Sequence, residues 1–220
     1  IVEETSHQER DDTVFKFFRE AMEEIGSVFC MQDGRPLVAE RTQLVVVFTF
    51  VDVVANYWFE YTGRHSNGQR DRFVQWVQRY VLTEKNRDYP NGDFSRLSAE
   101  RLYELRSSLV HFLGLSNQEE STEPIGVVTN TLPEDAVTKV REGFKKEGKM
   151  IIVFRPKQLY NLFLEGAILM LGEWRGTIEQ AQSDEAKKTG YVEGIKRVYK
   201  KILREGAVRV EFPKATKDAS

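Results

Sequence analysis

The stretch Leu102-Tyr-Glu-Leu-Arg-Ser-Ser-Leu-Val-His-Phe-Leu-Gly-Leu115 decides how the rest of the chain is interpreted. Its large apolar residues recur at steps of three and four, which predicts a helix with one apolar stripe. The stripe consists of Leu102, Leu105, Leu109 and Phe112. Ser98 is placed to cap the start of the helix, and Gly114 is placed to end it. The sequence therefore predicts a core helix over about residues 98–114.

Arg106 and His111 lie five residues apart on this helix, and packing alone does not require either of them. Five residues correspond to a rotation of about 140°, so the two side chains do not share a face of a regular helix. They meet only if the helix breaks near His111 or if a second chain completes the site. The simpler interpretation is a surface arginine and a partly buried histidine whose hydrogen bonds are satisfied.

The phrase LYELRSSLVHF around this pair resembles the signature of HEPN domains (higher eukaryote and prokaryote nucleotide-binding), in which a helix ends with an Arg-x4-6-His motif. The residue after the arginine is most often Asn in that family, whereas this chain has Ser107. The run RPKQLYNLFLEGAILML resembles the helix that follows the motif, so the resemblance covers about residues 13–175. It implies a bundle of helices, and many members of the family are metal-independent ribonucleases.

The resemblance also implies roles for individual residues. His111 would be the general base, Arg106 would stabilise the phosphate, and Ser107 would assist as a polar group. Histidine titrates near neutrality, and arginine offers a rigid fork of donors that matches phosphate. Because two chains of the family often bring their motifs together, a homodimer is expected, and it would bring Arg106 and His111 into one cleft.

The most apolar part of the chain, about residues 37–61, predicts a buried central helix that carries Asp52 and Asn56 on one face. An unpaired buried carboxylate is costly. We therefore expect Asp52 to pair with Arg106 and orient it, with Asn56 nearby; the simpler alternative is that Asp52 is paired or solvated without such a role. The apolar core of this helix, residues 44–59, is too short for a membrane span of about 20 residues, so no membrane contact is expected.

Further helices are predicted on either side. The first is capped by Asp11, Asp12 or Thr13 and ends at Cys30, whose thiol is expected in the core. Another covers about residues 69–82, and a long one opens at Pro156.

Between the motif helix and Pro156 lies an acidic linker followed by a strand, a helix and a strand. The first strand starts at Ile125, the helix opens with Pro133 and ends near Gly148, and the second strand precedes Pro156. No glycine-rich phosphate loop accompanies them. We interpret residues 124–155 as a small α/β insertion within one HEPN-like domain over residues 1–220.

The C-terminal part begins with residues 176–190, which are expected to be weakly structured. A basic helix over residues 191–204 follows, and residues 207–212 alternate like an edge strand. The chain has 32 basic and 34 acidic residues, hence a net charge of −2 and no global basic field. Nucleic acid would need a local patch, for which the candidates are Lys196, Arg197, Lys200 and Lys201. The simpler interpretation is a solvated helix face.

Several chemistries find no support in the sequence. It has no P-loop, dinucleotide fingerprint, HExxH motif or nucleophile elbow. With three histidines and one cysteine, a metal site is not expected, and no cofactor is predicted. The single thiol and the lack of a recognisable signal peptide favour a cytoplasmic location.

These observations predict a mainly α protein: a HEPN-like antiparallel helical bundle with a small β-α-β insertion and a C-terminal edge strand. The preferred function is a metal-independent ribonuclease of a toxin or phage-defence system, with RNA as substrate and an antitoxin or other protein as partner. One alternative is a non-catalytic HEPN-like module that binds RNA, a nucleotide or a protein. The other is a helical interaction protein in which the motif is a coincidence.

Overall fold

The structure is a computed structural model that describes residues 6–32, 35–83, 97–112, 125–148, 151–180 and 185–206. The described residues form seven helices and four very short strands, so the prediction of a mainly α protein is confirmed. The helices are α1 (His7–Ser27), α2 (Glu40–Thr62), α3 (Gln69–Tyr80), α4 (Ala99–Phe112), α5 (Glu134–Lys146), α6 (Pro156–Gln180) and α7 (Glu185–Gly206). The strands are β1 (Met31–Gln32), β2 (Arg35–Pro36), β3 (Ile125–Val127) and β4 (Ile152–Phe154).

Helix α2 is the centre of the bundle and packs against α1, α3, α4, α6 and α7. Its apolar residues face several directions, and those with no exposed surface include Val47, Phe48, Val51, Val54 and Ala55. The helix has 23 residues, which is long enough to cross a membrane, but 61% of its most apolar window is buried inside the bundle. Burial of this kind is typical of the core helix of a soluble protein.

Helix α1 starts earlier and ends earlier than the sequence predicts. The Ser6 hydroxyl accepts a hydrogen bond from the backbone N–H of Glu9 at 3.2 Å, so the cap is Ser6 rather than Asp11, Asp12 or Thr13. The helix ends at Ser27, Phe29 still packs in the core, and the exposed strand β1 begins at Met31. Cys30 is consequently exposed, and the prediction that it lies in the core is wrong.

The four strands form two separate pairs. β1 and β2 are antiparallel, whereas β3 and β4 are parallel and are joined by α5. A parallel pair requires a crossover of this kind, and the order of strand, helix and strand matches the sequence prediction. Pro133 is the N-cap of α5 rather than its first residue. The interpretation of this unit as an insertion stays a prediction.

Asn130, between β3 and α5, attaches this unit to the bundle. Its side-chain amide donates to Gln43 Oε1 at 2.9 Å, and its backbone N–H donates to the Glu40 carboxylate. Its side-chain oxygen accepts from the backbone N–H of Lys157 at 2.9 Å, which satisfies an otherwise unpaired donor at the start of α6. One asparagine thus links the first turns of α2 and α6.

The C-terminal half is more helical than predicted. Helix α6 continues to Gln180 and α7 begins at Glu185, so most of residues 176–190 is helical rather than weakly structured. The prediction was wrong because it relied on the polarity of this region, and polar residues also occur in long helices. Gly114, the acidic linker and the edge strand predicted over residues 207–212 lie outside the described residues.

Gly194 allows α7 to lie directly against α2. A Cβ atom at this position would lie 2.7 Å from the Tyr61 ring and 2.9 Å from the Tyr61 carbonyl oxygen. A Cβ atom at Gly190, one turn earlier on α7, would meet nothing within 4 Å. The two glycines therefore make a matched pair for testing how closely α7 packs.

We expect Gly194→Ala to lower the free energy of unfolding by about 1–3 kcal/mol, because the helices must move apart. Gly190→Ala should raise the same free energy by about 0.5–1 kcal/mol, since alanine loses less backbone entropy in a helix. Urea unfolding followed by circular dichroism measures both changes. Equal effects of the two substitutions would contradict the close contact of α7 and α2.

Candidate functional site

Arg106 and Asp52 form a charged pair between α4 and α2. The guanidinium donates from Nε and from Nη2 to the same oxygen, Asp52 Oδ2, at 2.9 and 2.7 Å. Both side chains are nearly removed from solvent, with exposed fractions of 9% for Arg106 and 12% for Asp52. The pairing predicted from the sequence is therefore present, inside the bundle rather than on its surface.

Helical spacing explains why Arg106 points inward. It follows Leu102 by four residues and precedes Leu109 by three, so it lies on the stripe that packs against the bundle. Tyr103, on the turn before, places its ring 5.6 Å from the guanidinium carbon, close enough for a cation–π contact. The Tyr103 ring in turn packs edge-on against Phe73 of α3, with centroids 5.4 Å apart. The arginine is therefore held by an anion and by an aromatic ring.

The Asp52 carboxyl has a pKa raised above its ordinary value of 3.8. Burial raises this pKa, while the hydrogen bond and charge of Arg106, and further contributions from Gln69 and Arg72, lower it by less. The folded state thus binds the Asp52 proton more tightly than the unfolded chain does. Its contribution to stability is present below pH 3.8 and is lost as the pH rises through the folded-state pKa. At neutral pH, the ionised Asp52 therefore lowers the free energy of unfolding.

Asp52 also has an oxygen without a partner. Its Oδ1 is buried and makes no hydrogen bond of good geometry among the described residues, although the Gln69 side chain acts on the carboxyl as a donor and lowers its pKa. Both donated bonds from Arg106 converge on Oδ2, so the pair lacks the parallel two-oxygen geometry that arginine and carboxylate often adopt. The site therefore retains acceptor capacity next to a buried cation.

His111 is the penultimate residue of α4, which is continuous from Ala99 to Phe112. The backbone of this helix therefore has no break between Arg106 and His111. The His111 side chain lies outside the described residues, so its partnership with Arg106 stays a prediction.

The other predicted site residues near the pair are peripheral. Ser107 is half-buried and follows Arg106 on α4. Asn56 is half-buried one turn beyond Asp52 on α2, and the Arg106 nitrogens that bond to Asp52 do not bond to it. Among the described residues, no group of three or more histidine, cysteine, aspartate or glutamate residues could hold a metal ion.

The four candidates for a basic surface do not face the same way. Arg197 donates to the backbone carbonyls of Glu60 and Tyr61 at 2.8 and 2.6 Å, at the C-terminal end of α2. Lys201 is buried and pairs with Glu60 at 3.1 Å.

Lys196 and Lys200 keep more access to solvent. Lys196 forms a long ion pair with Glu193 on its own helix, at 3.7 Å, and Lys200 is exposed. Arg197 and Lys201 therefore attach α7 to α2, and α7 presents fewer cations to solvent than the sequence suggests.

The sequence prediction missed Gln69 and Arg72, which act on Asp52 from the start of α3. A signal for them exists in the sequence. Arg72 precedes the buried Trp76 by four residues and is half-buried on the same face of α3, whereas Gln69 precedes Trp76 by seven residues and is exposed at the start of the helix. Polar residues on an inward helix face are candidates for a polar site.

Comparison with known proteins gave no relative. Scans of protein-family models, of curated proteins and of solved structures returned no match to this chain.

A double-mutant cycle tests whether the buried pair stabilises the fold. We expect Asp52→Leu and Arg106→Met each to lower the free energy of unfolding by about 3 kcal/mol, because each leaves the other charge buried and unpaired. The double variant should return to within about 1 kcal/mol of the wild type, since it buries no charge at all. Urea unfolding at neutral pH measures all four proteins. Additive losses in the double variant would show that the two residues do not interact, and a loss as large as that of either single variant would show that the pair stabilises the bundle.

Proposed function

We propose that this protein is a HEPN-like, metal-independent ribonuclease, acting as the toxin or effector of a toxin–antitoxin or phage-defence system. His111 is the general base, Arg106 stabilises the phosphate, and Ser107 assists as a polar group. The observation that carries the proposal is the pair between Asp52 of α2 and Arg106, the arginine of the Arg-x4-His motif on α4. It holds a guanidinium in a fixed, nearly dry position.

The proposed chemistry needs few protein groups. The base takes the proton of a ribose 2′-hydroxyl, and the oxygen attacks the adjacent phosphorus. The bond to the 5′ oxygen of the next nucleotide breaks, and this oxygen takes a proton from water. The products are a cyclic phosphate end and a 5′-hydroxyl end. A guanidinium placed at the phosphoryl oxygens stabilises the charge that develops there, and preorganised electrostatic contacts of this kind often lower the barrier more than any other effect in a catalytic site.

The energetics of the pair support a role beyond stability. The desolvation of a buried ion pair often exceeds its Coulombic gain, and the raised pKa of Asp52 indicates that burial dominates at this carboxylate. A pair that contributes little stability but fixes the orientation of an arginine is what a phosphate-binding site requires. In the proposed homodimer, the partner chain supplies the second motif, and a separate antitoxin or other protein controls the activity.

The alternative is a non-catalytic HEPN-like module that binds RNA or a nucleotide without cutting it. The burial of Arg106 favours this alternative, because only 7% of the residue is exposed and two of its three nitrogens bond to Asp52. In this alternative, the buried arginine stabilises the structure of the binding site and does not contact the scissile phosphate. The two functions differ in whether bound RNA is cleaved.

Cleavage of single-stranded RNA in the presence of a chelator tests the proposal. We expect the wild type to produce cyclic phosphate ends, and we expect His111→Ala to reduce the rate by at least about 100-fold because the general base is lost. His65→Ala is the matched control, since His65 is exposed in the loop between α2 and α3. It should cut like the wild type, and melting temperatures should agree among the three proteins.

Identical RNA fragments from the wild type and from His111→Ala would rule out the ribonuclease. RNA that is bound but remains intact with the wild type would favour the non-catalytic module. RNA that is neither bound nor cut would contradict both functions.

A further inference from the structure

Helix α6 has an outer face with an apolar centre that is exposed to solvent. Its inner face packs against α2, α3 and α7. On the outer face, Ile168 and Leu169 are 54% and 43% exposed. Glu165, Gly172 and Arg175 are exposed beside them. These five residues lie within a sector of about 120° around the helix, and an apolar patch with a charged border is typical of a protein–protein contact.

Gly172 leaves open space in the middle of this face. A Cβ atom at this position would meet nothing within 4 Å, so no described contact within the chain requires a glycine there. Glycine in the interior of a helix is nevertheless destabilising relative to alanine, and its usual benefit is the close approach of another group to the backbone. A second helix packed on this face would provide such a group.

Charges of opposite sign border the apolar centre. Glu165 is exposed and forms no ion pair with another described residue. Arg175 is also exposed, and its guanidinium carbon lies 4.5 Å from the centroid of the Phe15 ring of α1. Glu165 precedes Met170 by five residues, and Arg175 follows Met170 by five. The face therefore carries one charge of each sign at equal distances from its middle.

The cleft between Arg175 and α1 adds no net formal charge to this border. Besides Arg175, its charged lining residues are two acids and two bases: Asp11, Asp12, Lys16 and Arg19. Neither acid forms an ion pair with Arg175 among the described residues, and Asp12 accepts a hydrogen bond from Gln8 at 3.0 Å. Arg175 thus remains able to bind a carboxylate that approaches along α6.

An antiparallel contact between two α6 helices matches this face with itself. If a two-fold axis lies level with Met170, residues at equal distances on either side of Met170 face each other in the two chains. Ile168 then meets the partner's Gly172, where the missing side chain leaves room for it. Glu165 meets the partner's Arg175. Each contact occurs twice, as in every two-fold interface.

We propose that the outer face of α6 is a homodimer interface. In this interface two copies of the chain pack their α6 helices antiparallel through Ile168, Leu169 and Gly172, and Glu165 of each copy pairs with the partner's Arg175. The motif helix α4 packs against α2 and α3 and takes no part in this contact. The inference therefore does not depend on the proposed ribonuclease activity.

Charge reversal tests the interface, because Glu165 and Arg175 are about 15 Å apart along one helix and cannot pair within a chain. Sedimentation velocity at several protein concentrations measures the dimer dissociation constant. The full-length proteins are the wild type, Glu165→Arg, Arg175→Glu and the control Arg70→Glu, which reverses an exposed charge on α3. Melting temperatures establish that each variant is folded.

We expect the wild type to dimerise and each single reversal at the interface to raise the dissociation constant about tenfold, because two attractive pairs become two repulsive ones. An equal mixture of Glu165→Arg and Arg175→Glu should form mixed dimers with about the wild-type affinity, since every pair between the chains again joins opposite charges. Arg70→Glu should stay within about twofold of the wild type.

A wild type that stays monomeric overturns the inference, and RNA cleavage by that monomer would leave the ribonuclease standing. A wild-type dimer that both reversals leave unchanged also overturns it, because the dimer then forms through another surface. Weakened single variants that do not associate on mixing overturn the pairing of Glu165 with the partner's Arg175.

Arg175→Glu loses the contact with the Phe15 ring. If this variant does not fold, Ile168→Lys decides, since Ile168 is exposed and its replacement leaves the bundle core intact. A lysine in the apolar centre should weaken the dimer about tenfold, because its charge loses water on association. An unchanged dissociation constant overturns the interface.

Discussion

Helix α2 is buried on most of its surface, and its three carboxylates are each bound by a different part of the chain. Glu40 at its start accepts from Asn130 of the β-α-β unit, Asp52 at its middle accepts from Arg106 of α4, and Glu60 near its end pairs with Lys201 of α7. A buried carboxylate must be paired to be tolerated. Asp52, at 12% exposure, is under this requirement, whereas the Glu60 side chain is 36% exposed; the three carboxylates nonetheless mark where three other elements attach to α2.

The carboxylates at the two ends of α2 differ from the one in its middle. At its ends, Glu40 accepts from Asn130 and Glu60 pairs with Lys201, so both carboxylates have partners within the protein. Asp52 differs, because one of its oxygens has no described partner and two cations act on it. Incomplete satisfaction of a buried polar group is unusual in a folded protein and calls for an explanation. Asp52 therefore keeps hydrogen-bonding capacity that the described residues do not fully use.

Much of the fold could be predicted from the sequence, because apolar periodicity specifies which face of a helix is buried. The same reasoning indicated that Asp52, a carboxylate on the most apolar helix, needs a cation, and Arg106 was a good candidate. Periodicity does not reveal the partners of charged residues, and so Arg197 and Lys201 were assigned to a surface although they bond to α2.

Local signals were also outweighed by tertiary structure. Cys30 continues an apolar pattern, yet it is exposed because α1 ends at Ser27 and a strand pair follows. Arg72 was overlooked for the opposite reason. A polar residue at the start of a helix is usually solvated, and only its spacing from Trp76 indicates the inward face.

The contact of Arg197 with the last carbonyls of α2 has a consequence for the order of folding. The C-terminal groups of a helix need partners, and the central helix receives two of its partners from a residue more than 130 positions later in the chain. During synthesis the N-terminal helices can collapse around α2, and the Gly63 N–H can donate to the Phe59 and Glu60 carbonyls, but the bonds from Arg197 form only after α7 has left the ribosome. Contacts so distant in sequence form late and slow the final step of folding. Until then, the part of α2 that α7 covers stays exposed on the nascent chain, and a chaperone or a partner protein has access to it.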